Sequence, residues 1–289
     1  MSLALLIESQ PVLLAFLGVF GLVIGSFLNV VIYRLPKMMQ ADWQHECAVY
    51  LGQPESEAIE PMSLATPNSQ CPACARPIRA LENIPVVSFL LLGGRCRGCQ
   101  AAISWRYPLV ELLTALLFVY AAYRFGPSLQ LCGALIVISL LIALTGIDAD
   151  TQLLPDSLTL PLLWIGLLCN SGEGLFTDLQ SAVLGAAAGY GVLWGVFWLF
   201  KLITGKEGMG YGDFKLLAAL GAWFGWQALP LIILLSSVVG TVFGLCRMVL
   251  LRQYRDAPMA FGPFLALAGL LTLFWRDGLE LMLGIVSVY

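Results

Sequence analysis

Residues 129–147 read LQLCGALIVISLLIALTGI, nineteen consecutive positions without a charge. As a helix at ~1.5 Å per residue this stretch is about 28 Å long, close to the ~30 Å hydrocarbon core of a bilayer. Comparable apolar blocks lie on either side, at 11–33, 108–123, 153–170, 179–200, 214–226, 228–251 and 259–275. The expected fold is therefore an all-α polytopic membrane protein with about eight transmembrane helices. The 214–226 block is short enough to be a half-span or a tilted element. Composition agrees: 59% of the 289 residues are hydrophobic and 11% charged, against roughly 25% charged in soluble domains. The first block has no basic residue ahead of it and no small-residue cleavage site, so it reads as a retained helix rather than a signal peptide.

Lysine and arginine set the orientation. If the segment after the first block is cytoplasmic, thirteen of the fifteen basic residues fall on the cytoplasmic side and only Arg124 and Arg276 on the other. That asymmetry is the positive-inside signal. It predicts a multi-pass membrane protein with both termini facing away from the cytoplasm. Membrane lipid is the expected surrounding, and no nucleic-acid partner is expected.

One segment interrupts the apolar pattern. Residues 34–106 hold His45, the only histidine, and five of the eight cysteines, four of them in two close pairs. The chain divides on this reading into a first transmembrane helix (1–33), a small cytoplasmic tetracysteine domain (34–106) and a helical bundle (107–289). An acidic stretch, Glu55, Glu57 and Glu60, reads as solvated loop. The cysteines stand as Cys71-Pro-Ala-Cys74 and Cys96-Arg-Gly-Cys99. Paired C-x-x-C knuckles bring four thiolates onto one tetrahedral Zn²⁺ in closed structural sites. The alternatives are disulfides or unconnected thiols, and a reducing cytoplasmic compartment disfavours disulfides. A domain of some 70 residues with so few large apolar side chains also needs a staple to fold. Structural zinc on Cys71, Cys74, Cys96 and Cys99 is the expectation. Cys47, Cys132, Cys169 and Cys246 have no such spacing.

The candidate catalytic groups lie in the bundle. One segment reads Gly146-Ile-Asp148-Ala-Asp150-Thr-Gln-Leu-Leu-Pro155-Asp156, and another Gly208-Met-Gly210-Tyr-Gly212-Asp213-Phe-Lys215. Ionisable groups at membrane depth are costly and point to function. Here four carboxylates gather at two span ends on one expected side. Two of them can share acid–base work, one activating water while the other protonates a leaving group. Each also has a plainer role. Asp156, after Pro155, suits an N-cap, and Asp213 could cap a helix starting at Phe214. Three glycines in five residues exceed what a cap needs and favour close chain approach at Asp213. Asp148 ends a helix, where the macrodipole disfavours a carboxylate; Asp150 is its rival, facing another side. Glu111, within the second block, should face the bundle interior, as a structural pair with a hydroxyl or arginine or as a functional group.

These residues together resemble the type IV prepilin peptidases, bifunctional leader peptidases and N-methyltransferases within the GxGD intramembrane aspartic proteases. The resemblance runs through Gly25-Ser-Phe-Leu-Asn-Val30, Arg34-Leu-Pro36, both cysteine pairs, Arg106-Tyr-Pro-Leu-Val-Glu111, the Asp148–Asp156 segment and Gly208–Lys215. It implies that Asp148 and Asp213 are the catalytic pair. It implies prepilin and pseudopilin substrates with a short basic leader, cut at the cytoplasmic membrane face, then N-methylated from S-adenosylmethionine. No glycine-rich loop following a strand marks a Rossmann-type cofactor site. Cofactor-binding residues are therefore unassigned, with the cytoplasmic domain near Gly93-Gly94 as the natural place. Two other classes compete. A proton-coupled transporter would carry its acids at mid-span and need no tetracysteine module. A scaffold would tolerate loss of both aspartates.

Overall fold

The computed structural model describes residues 9–52, 62–206, 208–250 and 259–282. The acidic stretch at 55–60, with Arg252 and Arg255, lies outside them. Every apolar block is helical, and among the described residues the only β features are two isolated bridges. The chain divides into two compact units, Met1–Pro127 and Ser128–Tyr289.

The first unit is built on α1 (Gln10–Tyr50) and α3 (Arg106–Phe125), with a short α2 (Val87–Leu91) between them. The helix α1 does not end near Tyr33, as hydropathy suggests, but continues through Pro36 for 41 residues. Hydropathy marks where a chain leaves apolar surroundings, not where its backbone bonds stop. An internal proline removes one helical bond without ending the helix. The two long helices meet along a seam of small residues. A Cβ on Gly21 would stand 2.6 Å from the Ala115 Cα, and one on Gly25 2.7 Å from the Glu111 Cα. Polar groups pin the seam's end. Asn29 donates to the Tyr107 carbonyl at 3.0 Å, and buried Arg34 donates to the carbonyls of Ser63 (2.9 Å) and Pro67 (2.6 Å). Glu111 is buried too, and its Oε2 accepts the Val86 N–H at 2.7 Å. Its partners are thus the Val86 amide and the Ser26 hydroxyl rather than an arginine.

The second unit comprises α4 (Leu129–Thr151), α5 (Asp156–Cys169), α6 (Leu179–Thr204), α7 (Tyr211–Phe224), α8 (Leu229–Leu250) and α9 (Gly262–Met282). Ser128 opens α4 by accepting the Leu131 N–H, and Asp178 opens α6 by accepting that of Ser181. Both are side-chain N-caps. Across the whole chain, five described helical stretches are long and apolar enough to cross a membrane: 10–50, 106–125, 129–151, 179–204 and 226–249. The segment 156–169 is a shorter apolar helix.

At the centre stands α7, packed against α6, α5 and α9 and buried over nearly all of its length from Asp213 to Phe224. Gly185 of α6 and Gly221 of α7 face each other so closely that a Cβ on either would strike the other's carbonyl. The last carbonyls of α7 have no helical partner and belong to deeply buried residues, so they need hydrogen-bond donors from elsewhere. Asn170 takes those of Ala222 (2.9 Å) and Trp223 (3.1 Å), and Arg276 takes that of Phe224 (2.9 Å). The same Asn170 accepts the amides of Leu175, Phe176 and Thr177 through Oδ1. Asn170→Ala strands two buried carbonyls and three part-buried amides. At ~1–3 kcal/mol each, partly relieved by relaxation, the expected destabilisation is about 3–5 kcal/mol. Thermal unfolding in detergent checks this; an unchanged midpoint would contradict the capping role.

Candidate active site

The aspartates of the two motifs arrive from opposite helix ends. Asp148 lies in the last turn of α4, which closes at Gln152, whose left-handed backbone (φ 55°) returns its N–H to the Asp148 carbonyl at 2.9 Å. Asp213 lies in the first turn of α7. They are 4% and 7% exposed, and their carboxylates are near enough to act on each other electrostatically. Asp148 Oδ2 accepts the Gly262 N–H at 2.9 Å, while Asp213 Oδ1 is buried without a hydrogen-bond partner among the described residues. Two buried carboxylates so placed repel when both are charged, which favours one shared proton.

The neighbouring carboxylates are placed differently. Asp150 and Asp156 are exposed. Asp156 is not the N-cap of α5: Pro155 occupies that position, and Asp156 is the first helical residue. Its carboxylate accepts from Lys215 at 2.6 and 2.8 Å, tying the start of α5 to α7. Nor does Asp213 cap α7, since the helix begins at Tyr211 with Gly210 as its N-cap. Of the three glycines there, Gly212 is the most closely approached: its Cβ would lie 2.7 Å from the Leu154 Cβ, and one on Gly208 would lie 2.9 Å from Phe200 Cε1.

In the first unit the four motif cysteines converge. Their sulfurs all lie within 4.8 Å of one another, and Cys71 Sγ and Cys99 Sγ are 3.8 Å apart. Thiolates on a tetrahedral zinc, each ~2.3 Å from the metal, stand about 3.8 Å apart. A disulfide would need about 2 Å. The knuckles share one design. In the first, the Ala75 N–H returns to the Cys71 carbonyl and the Cys71 N–H to that of Arg76; in the second, Gln100 returns to Cys96 and Cys96 to Ala101. The amides of Cys99 and Gly98, with the Cys71 thiol, bring the Cys96 thiol down to about 6. The Cys74 thiol, burial and the Cys96 and Cys71 thiols push Cys99 up to about 11. The crowded sulfurs thus share protons that a bound metal would displace. Glu82 ties the knuckles together, 2.8 Å from Arg76 of the first and 3.5 Å from Arg97 of the second. The residues therefore fit a tetrathiolate metal. Gly93 and Gly94 lead into the second knuckle with φ of +60° and +68°, so a turn already requires them.

Two family models match this chain: the bacterial peptidase A24 N-terminal domain over residues 19–125, and the type IV leader peptidase family over residues 135–245. It is 58% identical over 262 residues to a prepilin leader peptidase/N-methyltransferase of Aeromonas salmonicida, covering 90% of each chain. A protein of the same description from Pseudomonas aeruginosa is 56% identical over 257 residues, covering 89% of this chain and 88% of the relative. One from Burkholderia pseudomallei is 50% identical over 273 residues, covering 94% and 88%. No solved structure matches. This chain belongs to the type IV leader peptidase family.

The two matched regions fall one in each compact unit, so the cysteine module belongs to the N-terminal family domain and the aspartates to the leader peptidase domain. Three residues packed around the two aspartates carried no role in the sequence reading: Lys215, Leu154 and Gly262. For Gly262 a local signal exists, since Gly262-Pro263 punctuates the start of the last apolar block as such pairs do at element boundaries. Its distance of 114 residues from Asp148 hides the contact.

Proposed function

We propose that this chain removes the basic leader from type IV prepilins and pseudopilins with Asp148 and Asp213, then N-methylates the new amino terminus from S-adenosylmethionine. The observation that carries the catalytic assignment is that both carboxylates are buried, at the end of α4 and the start of α7, with Leu154 lying against both Gly212 beside Asp213 and Gly262 on Asp148. The names of relatives at 50–58% identity support the substrate and the second activity. In peptide hydrolysis one carboxylate accepts a proton from water as its oxygen attacks the carbonyl carbon. The other gives its proton to the departing nitrogen.

The asymmetry of lysine and arginine supports an inner-membrane protein whose site faces the cytoplasm. On this reading the chain crosses about eight times, with α5, α7 and α9 as the shorter or more polar crossings. Residues 34–106 form the cytoplasmic domain, 107–289 the bundle, and Cys71, Cys74, Cys96 and Cys99 hold a structural Zn²⁺. The metal would fold the module and takes no part in hydrolysis.

The test is to incubate purified protein with a prepilin and labelled S-adenosylmethionine and to read both products by mass spectrometry. Cleaved and methylated pilin is expected; an intact substrate would overturn the proposal. Methyl transfer needs an amine in line with an electrophilic carbon, chiefly a matter of positioning, and asks nothing of the carboxylates. Asp213→Asn is thus expected to methylate a pre-cleaved pilin while leaving intact prepilin uncut. Failure on the pre-cleaved substrate by a folded variant would mean that the two sites are one.

A further inference from the structure

The geometry points to Gly262 as a positioning residue that makes the aspartates unequal, fixing Asp148 as the carboxylate that activates water and leaving Asp213 to carry the proton. This rests on the reading of Asp148 and Asp213 as the catalytic pair.

Gly262 opens α9, and its N–H reaches Asp148 Oδ2 at 2.9 Å in a buried contact. An amide N–H can only donate, so this oxygen is held as an acceptor, the form a carboxylate presents when ionised. Oδ1 is left to receive the proton of water. The Asp213 carboxylate also faces a backbone amide, that of Gly210, but its Oδ1 is buried and unpartnered among the described residues. A charged oxygen in that place is costly, whereas a protonated carboxyl can donate to a substrate. In the reaction Asp148 takes a proton from water, the water oxygen bonds to the carbonyl carbon, and the Asp213 proton passes to nitrogen as the C–N bond breaks. Both protons are accounted for, and the pair ends with Asp148 protonated and Asp213 ionised.

The residue type follows from the same contact. A Cβ at position 262 would stand 2.6 Å from Asp148 Oδ2, 3.2 Å from its Cγ and 3.1 Å from Leu154 Cδ2. The first two contacts are with a side chain held at the end of α4, so an added methyl group must push the carboxylate from its place. Leu154 also lies against Gly212, one residue before Asp213. The 152–155 turn is therefore wedged between the two segments that hold the aspartates.

Two measurements test this on the full-length enzyme. The first is steady-state cleavage of a prepilin by Gly262→Ala. Displacing a reacting group by about 1 Å costs roughly 10²-fold in rate, so kcat is expected to fall about 100-fold with KM unchanged. Adding Leu154→Ala, which removes the other crowded neighbour, should not restore it. A wild-type kcat, or rescue by Leu154→Ala, overturns the inference. The second is a thermal-stability cycle with Asp148→Ala, which needs no activity and also decides the matter if Gly262→Ala folds poorly. The melting temperature lost on adding the methyl group should be largely recovered when the carboxylate is absent; an undiminished loss overturns the inference. Full cleavage by Asp148→Asn would instead remove the catalytic reading, and the stability cycle would still report on the contact.

Discussion

Asp148→Asn and Asp213→Asn are each expected to lower prepilin cleavage by about 10³-fold or more, while Asp150→Asn and Asp156→Asn retain most of it. A positioned acid or base contributes ~10²–10⁴-fold, and the amide cannot exchange the proton although its shape is nearly unchanged. The contrast rests on placement. Asp148 and Asp213 are buried and close to each other, while Asp150 is exposed and Asp156 is occupied by Lys215. The measurement is the cleavage rate of each variant at matched levels of folded protein. Loss of cleavage in Asp150→Asn but not in Asp148→Asn would reverse the assignment within the Asp-Ala-Asp group.

The other large effect concerns the metal. Purified protein is expected to carry about one zinc per chain, bound as a tetrathiolate. Structural zinc contributes ~10–16 kcal/mol in small finger domains, far more than the folded core of this module supplies. The described residues from 62 to 105 contain only a five-residue helix, one 3₁₀ turn and two isolated bridges. Cys71 and Ser88 are their sole buried side chains. Cys71→Ser or Cys96→Ser is therefore expected to unfold this module, visible as fast hydrogen exchange confined to it. Metal analysis without zinc, together with four freely alkylated thiols in the native protein, would contradict the site.

Much of this was readable in the sequence because it is written locally. Runs such as 129–147 are apolar for their whole length, and each became a helix. The cysteine spacing is likewise local, and the knuckles closed through bonds only four and five residues apart. Helix ends were less legible. The first helix passes Arg34-Leu-Pro36 because its hydrogen bonding does not depend on the polarity that marks the membrane boundary. Asp156 reads as a cap in the sequence, but Pro155, which bears no side-chain acceptor, holds that position, and Gly210 rather than Asp213 stands at the start of α7. The contacts of Gly262 with Asp148 and of Asn170 with the end of α7 span 114 and 52 to 53 residues. Such pairings are set by how helices pack, and no window along the chain contains both partners.

Helix α7, which carries Asp213, has 14 residues, about 21 Å at ~1.5 Å per residue, well below the ~30 Å of a bilayer core. A free helix that short answers hydrophobic mismatch by thinning the lipid or shifting along the membrane normal. Neither response is open to α7. Its sides are enclosed by neighbouring helices, and Asn170 and Arg276 hold its far end by the backbone. The depth of Asp213 is thus fixed by protein rather than by lipid, and the thickness of the surrounding bilayer does not set where the peptide bond must be presented.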